Sequence, residues 1–338
     1  MHRIEVALAI AATAAGMLGV AGSAQTADAE LRTAPLTHIG VVVPHMDAAV
    51  SEYVRVMGFP SPRVNTVSVP LPDGNKTEFK LATLPMPNFF IEMVEPIDHT
   101  GPYYEHLQTH GMSVQHIGVA LQGEGSVDDL RGVLEQQGGR WTLGAKGGRF
   151  AYVNFQPTLG ATLELNRGST GASGQTLAPP AGDALPPLAT LPVSHVGFAV
   201  TNAAAVATGF AKLLGIASPT VVEYKDSQYP PGTRWNNSAY LRLASWRQGA
   251  IGLELIESVG TPTPWSEFVA HHKGSSVQHI AINVGNRMDE TIRDLQGKGG
   301  KWTNGKAGGA YAYLDFQDTL GLIFELNGTS KSSRSGGN

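Results

Sequence analysis

The chain has 338 residues, 24 lysine and arginine side chains against 28 aspartate and glutamate, a net charge of −4 and no cysteine. That balance lacks the basic footprint of a nucleic-acid binder, and the missing cysteines exclude disulfides, thiolate metal sites, iron–sulfur clusters and a cysteine nucleophile. At about 100–200 residues per domain the length suits two domains, and any metal must be held by His, Asp or Glu.

The first segment reads as an export signal. Arg3 precedes an uncharged, Ala/Val/Leu/Ile-rich run from Val6 to Ala21, and cleavage after Ala24 or in Ala27-Asp28-Ala29 fits a small-residue site. The run is shorter than the roughly 20 residues of a membrane span. Residues 1–29 are therefore expected to be a signal peptide, giving a periplasmic or secreted protein with no membrane attachment once the leader is removed.

His38 opens a β-branched strand, and Met46–Met57 follows with helical spacing and Gly58 at its end. Val64–Val69, Thr77–Thr83 and Asn88–Val94 read as three strands separated by turn residues. The order then repeats. His116–Leu121 is a strand, Ser126–Gln137 a helix closed by Gly138-Gly139, and Arg140–Thr142, Arg149–Phe155 and Thr162–Asn166 are strands.

Next, Arg167–Thr190 is rich in Pro, Gly, Ser and Ala without periodicity, which predicts a linker over 167–192. Beyond it the whole pattern returns, with helices near Ala203–Leu214 and Met288–Gln296. Gly138–Asn166 and Gly299–Asn327 align without a gap at an offset of 161, with 17 of 29 positions identical, and Ser113–Ile117 recurs as Ser276–Ile280. The expectation is an α+β chain of four βαβββ modules in two domains, 36–166 and 193–328, related by a pseudo-twofold axis as an internal pseudo-dimer and monomeric. A flexible tail over 329–338 follows.

Four polar residues recur at matching places in each copy. His38 and His116 lie on opening strands and Glu92 and Glu164 on closing strands; His195, Glu254, His279 and Glu325 are their counterparts. A glutamate between apolar neighbours in a strand points into a sheet face, where an unpaired carboxylate is costly. Two of them in one cleft repel unless a proton or cation intervenes. Two imidazoles and two carboxylates suit Fe(II), Mn, Co, Ni or Zn, one ion per half, and are too soft a set for calcium. His45, His99, His106, His110, His271 and His272 lack matching partners and read as surface, with Tyr103–His106 a candidate for a cleft mouth and Tyr229–Trp235 for a pocket wall.

The modules and their strand-borne ligands resemble the vicinal oxygen chelate superfamily (glyoxalase/bleomycin resistance/dioxygenase), each half being most similar to methylmalonyl-CoA epimerase and glyoxalase I. HIGVVV at 38, IEMVEP at 91, QHIGVAL at 115, the AKGGR turn and LELN at 163 carry the likeness. The resemblance implies curved sheets around metal clefts, the eight residues above as ligands, and a small substrate whose adjacent oxygens reach the metal, which stabilises an enediolate. It further implies two carboxylate bases, Glu164 and Glu78, the latter matched by Tyr240 in the second copy. An isomerase or lyase follows. An extradiol-type iron dioxygenase and a small-molecule-sequestering resistance-type protein are the alternatives, each disfavoured by a fourth ligand retained in both halves. The leader speaks against an acyl-CoA substrate.

Overall fold

The computed structural model describes residues 29–123, 125–167, 184–225, 229–231, 233–235, 239–260 and 262–329. Residues 1–28 of the leader expected over 1–29, most of the linker and the tail beyond Thr329 lie outside the described residues.

The first half runs β1 (Leu36–Val42), α1 (Met46–Met57), β2 (Val64–Pro70), β3 (Lys76–Met86), β4 (Phe89–Pro96), α2 (Gly101–His110), β5 (Ser113–Leu121), α3 (Asp128–Gln136), β6 (Arg140–Leu143), β7 (Phe150–Asn154), α4 (Gln156–Leu159) and β8 (Thr162–Arg167). The second repeats it: β9 (Val193–Val200), α5 (Ala203–Leu214), β10 (Val222–Lys225), β11 (Tyr240–Gln248), β12 (Ile251–Val259), α6 (Pro264–His271), β13 (Ser276–Gly285), α7 (Met288–Gly297), β14 (Lys301–Gly305), β15 (Tyr311–Phe316), α8 (Gln317–Leu320) and β16 (Leu322–Gly328). Each half is one curled eight-stranded sheet, ordered β2-β3-β4-β1-β5-β8-β7-β6 and β10-β11-β12-β9-β13-β16-β15-β14. The class is α+β, as the sequence predicts. Among the described residues no helix is long and apolar enough to cross a membrane.

Local signals set the elements. Gly58 ends α1 at φ 78°, where a side chain would be strained, and donates its N–H to Val54. Alternation then divides each strand between two faces. In β1, Ile39 and Val41 join the large core under the helices, while Val42 joins a smaller apolar cluster with Phe79, Val94, Tyr103 and Tyr152 on the concave side. His38 and Gly40 share that concave parity.

The halves pack reciprocally. Helix α1 rests on α8 and α5 on α4, and the buried Tyr53 hydroxyl donates to the Leu320 carbonyl at 2.8 Å. Asn88 exchanges two hydrogen bonds with the Val193 backbone, at 2.8 and 2.9 Å. One continuous core draws on both halves.

The linker expectation needs trimming at both ends. Arg167 completes β8, buried, and pairs with Glu30 at 2.6 Å; Leu188 and Ala189 are buried in a 3-10 turn at Leu188–Thr190.

Candidate metal centres

The four central strands of each sheet carry one candidate ligand apiece. In the first half β4, β1, β5 and β8 supply Glu92, His38, His116 and Glu164; in the second, β12, β9, β13 and β16 supply Glu254, His195, His279 and Glu325. Within each set one donor atom per residue lies within 4.8 Å of every other.

Register explains the convergence. His38 pairs with Gly118 across β1–β5, and Gly40 pairs with His116. Glu92 stands beside Gly40 and Glu164 beside Gly118 on the outer strands. Each imidazole therefore folds over a glycine: a Cβ on Gly118 would lie 1.8 Å from His38 Cε1, and one on Gly40 1.7 Å from His116 Cε1.

In the first set His38 Nε2 is 2.8 Å from Glu164 Oε2 and 3.9 Å from Glu92 Oε2, and His116 Nε2 is 3.4 and 3.7 Å from the same two atoms. In the second, His195 Nε2 is 2.9 and 3.6 Å from Glu325 and Glu254. His279 Nε2 is 3.2 and 3.6 Å from them and 3.3 Å from His195 Nε2. Donors that share one ion at about 2.0–2.2 Å sit roughly 3 Å apart, so these spacings fit a small divalent cation.

The outer hydrogen bonds orient the imidazoles as they would those of metal ligands. Gln115 and Gln278 accept from Nδ1 of His116 and His279 at 2.8 and 3.0 Å. Thr37 donates its hydroxyl to the Gly118 carbonyl and accepts from His38 Nδ1 at 2.9 Å; Ser194 repeats this on Ala281 and His195. With Nδ1–H held, each Nε2 lone pair faces the cleft. His116 Nε2 is buried without a hydrogen-bond partner, which is costly for an isolated core histidine and natural for a metal ligand.

Charge tells the same story. Burial pushes the Glu164 carboxyl up, but His38, His116 and the Tyr152 hydrogen bond outweigh it and hold it near about 2. Burial pushes His279 down, and the Glu254 and Glu325 carboxylates overturn that and raise it to about 9. His38 is likewise raised against burial by Glu164 and Glu92. The carboxylates attract positive charge that either protons or a metal can supply.

Tyr152 and Tyr313 complete the sites. Burial holds both phenols neutral, and they donate to Glu164 Oε2 and Glu325 Oε2 at 2.8 and 3.0 Å. Sequence reasoning passed them over, although they are identical positions of the ungapped repeat.

Other expectations need correction. Glu78 is exposed between the buried Thr77 and Phe79 on β3; since Phe79 and Leu81 line the cleft, strand alternation sends Glu78 to the opposite face, and Tyr240 in β11 follows it. His106 and His272 are buried, not surface residues. His106 Nε2 bonds Ser113 Oγ at 2.9 Å, and His110 donates from Nδ1 to the His272 carbonyl at 3.0 Å across the two halves. His110 ends α2, and His272 lies just past α6. Trp235 lines a groove with Phe268 and Trp302 that none of the eight ligands enters.

The family described as the Glyoxalase/Bleomycin resistance protein/Dioxygenase superfamily matches residues 37–152 and 194–313. A mutant 4-hydroxymandelate synthase from Streptomyces coelicolor superimposes with TM-score 0.56 at 14% identity, over 88% of this chain and 92% of that one. Methylmalonyl-CoA epimerase from Mycobacterium tuberculosis aligns over 40% of this chain and 88% of its own, at 20% identity and TM-score 0.29. A halotolerant catechol dioxygenase, BphC, aligns over 87% and 86%, at 12% identity and TM-score 0.44. No curated protein matches the sequence. At these identities the synthase likeness speaks for the fold alone.

Proposed function

The chain belongs to the glyoxalase/bleomycin resistance protein/dioxygenase superfamily, and from that premise we propose a divalent-metal-dependent isomerase or lyase acting on a small, vicinally oxygenated molecule. The observation that carries the reading is the donor set: four residues per cleft, with imidazole Nε2 atoms presented and one of them orphaned. A bound divalent ion would act there as a Lewis acid towards substrate oxygens. His38, Glu92, His116 and Glu164 would hold it in the first half, and His195, Glu254, His279 and Glu325 in the second.

The remaining steps belong to the chain's own groups. Glu164 and Glu325 are the proton acceptors in this reading, each oriented by its tyrosine at Oε2. The apolar concave wall excludes water around them. Because Glu78 projects from the other face, the carboxylates left in each cleft are the two of the candidate metal set, and proton transfer between neighbouring carbons is the reaction this reading keeps.

Four protein donors would leave a bound six-coordinate ion room for two substrate oxygens, which is what this reading requires. The test loads metal-stripped protein with Zn, Ni, Co, Mn or Fe(II), adds hydroxyacetone or dihydroxyacetone in deuterated water, and follows C–H exchange by NMR. Metal-dependent exchange without oxygen uptake is expected. Oxygen consumption with catechol and Fe(II), and no exchange, would transfer the protein to the dioxygenase reading.

A further inference from the structure

His106 and His110 are the only two histidines of the chain that stand four positions apart. Both lie on α2, where that spacing brings side chains onto one face. Their ring centroids are 4.8 Å apart, with the planes inclined by 36°. Two imidazoles bound to one ion at about 2.0–2.1 Å hold their centroids roughly 4.5–5.5 Å apart. The pair has the spacing of neighbouring ligands.

Each ring has one nitrogen committed and one left over. Ser113 directs its hydroxyl proton to the Gly111 carbonyl at 3.3 Å, so it accepts from His106 Nε2 at 2.9 Å, and the His106 lone pair falls on Nδ1. His110 donates Nδ1–H to the His272 carbonyl at 3.0 Å, which leaves its lone pair on Nε2. Holding one ring nitrogen on a hydroxyl or carbonyl is how proteins orient an imidazole towards a metal on the other. Both residues line one cavity of about 130 Å3, together with Glu105, Gln115 and Gln156. That is room for a cation that keeps some of its water, and the exposed Glu105 brings it a negative charge.

We propose that His106 and His110 form a further metal site, distinct from both His/Glu sets, which takes a borderline divalent ion: copper(II) first, then nickel(II) or zinc(II). Imidazole nitrogens suit these ions in that order of affinity, whereas magnesium and calcium require oxygen ligands. Burial pushes both rings below the usual histidine range, His106 well below it. Both are neutral at neutral pH, so an entering ion has no proton to displace. With two protein donors against four, the site holds its ion more weakly than the His/Glu centres and empties on dialysis. Gln115, which lines the cavity, also holds His116 Nδ1 at 2.8 Å, so the site backs onto the first centre without sharing a ligand with it. The second half has no such pair. Its helix α6 ends at His271 and His272 follows directly, and consecutive residues on a helix diverge by about 100°.

Copper uptake by the full-length protein tests this. Free Cu(II) would be buffered with glycine, bound copper counted at dialysis equilibrium, and imidazole ligation of the bound ion read by electron spin echo modulation. Wild-type protein should hold one more ion per chain than His110→Asn protein at the same free copper. Affinity for that ion should be at least about tenfold weaker in the variant, the low end of losses from groups that only orient a ligand. Circular dichroism checks folding, and His110→Gln serves if the Asn variant does not fold. His106→Asn, where folded, should repeat the loss, and His45→Asn, at an exposed histidine elsewhere, should leave the count unchanged.

Equal copper content in wild-type and His110→Asn protein overturns the inference. So does retention of the ion in folded His106→Asn protein, an equal loss in His45→Asn protein, or a difference signal from a single imidazole. Because each comparison subtracts a variant from the wild type, the outcome is read in the same way whether or not the His/Glu centres take metal.

Discussion

His38 and His195 hold the same place in two copies of one site, yet His38 is 2% exposed and His195 18%. Their neighbours differ in a compensating way. His38 stacks on Phe90 at 4.2 Å and lies over Gly118. His195 has Gly252 where Phe90 would be and Ala281 where Gly118 would be. The first imidazole is enclosed by an aromatic plate on one side and a missing Cβ on the other. The second has lost the plate and gained the methyl, and its Nδ1 contact lengthens from 2.9 Å at Thr37 to 3.4 Å at Ser194. The lesson is that ligand identity and ligand rigidity are set separately: the first by four side chains, the second by what flanks them.

The strongest way to break the comparison is to remove one ligand. His38→Ala should empty the first site and leave the second loaded, so that metal content falls from two ions per chain to one; His195→Ala should do the converse. Elemental analysis of dialysed protein reads this, and loss of both ions from either variant would show that the sites are not independent.

Exchanging the floor residue sharpens it. Gly118→Ala places a methyl where His38 now lies, and metal affinity at the first site should drop about 10- to 100-fold, the scale of damage to groups that orient a ligand. Ala281→Gly should leave the second site as tight or tighter. Competition against a chromophoric chelator distinguishes the two.

Acid should weaken the second site progressively. With His279 raised to about 9, the metal-free imidazole is protonated at neutral pH, and metal must displace that proton. Affinity at that site should therefore fall about tenfold per unit as pH drops from about 9 to 7. Titrations of His38→Ala protein in buffers of different ionisation enthalpy would count the released proton; a flat profile contradicts the assignment.

The smallest expected effect is that of the phenols. Tyr152→Phe and Tyr313→Phe each remove one hydrogen bond from a ligand carboxylate and should weaken metal binding at their own site by about tenfold. An equal effect at both sites from one substitution would indicate a global disturbance instead.

Most of this architecture was legible in the sequence because the chain carries its own alignment. Eight residues at matching strand positions marked out the two clusters that converge, and the doubled strand–helix–strand order named the sheets. What escaped depended on which face a side chain uses. Glu78 fits a catalytic pattern by spacing, but Thr77, Phe79 and Leu81 occupy the concave parity, so the polar Glu78 and Lys80 fall on the other face; the alternation itself contained that answer. Tyr152 and Tyr313 were hidden among apolar strand neighbours. His106 and His272 escaped because their burial depends on tertiary contacts, Ser113 against His106 and the Phe268 ring against His272, which no local pattern records.

The reciprocal seating of α1 on α8 and α5 on α4 has a thermodynamic corollary. In an ordinary twofold dimer, mass action sets how much interface is populated, and every substitution is imposed on both copies at once. A covalent tether replaces bulk concentration by a fixed effective concentration, so dilution cannot part the two sheets from the same chain. It also releases each sheet from obeying its twin. Gly118 and Ala281 can differ, as can Leu143 and Asn304, without either change being copied across the axis, and a symmetric scaffold thereby becomes free to hold two unequal chemistries.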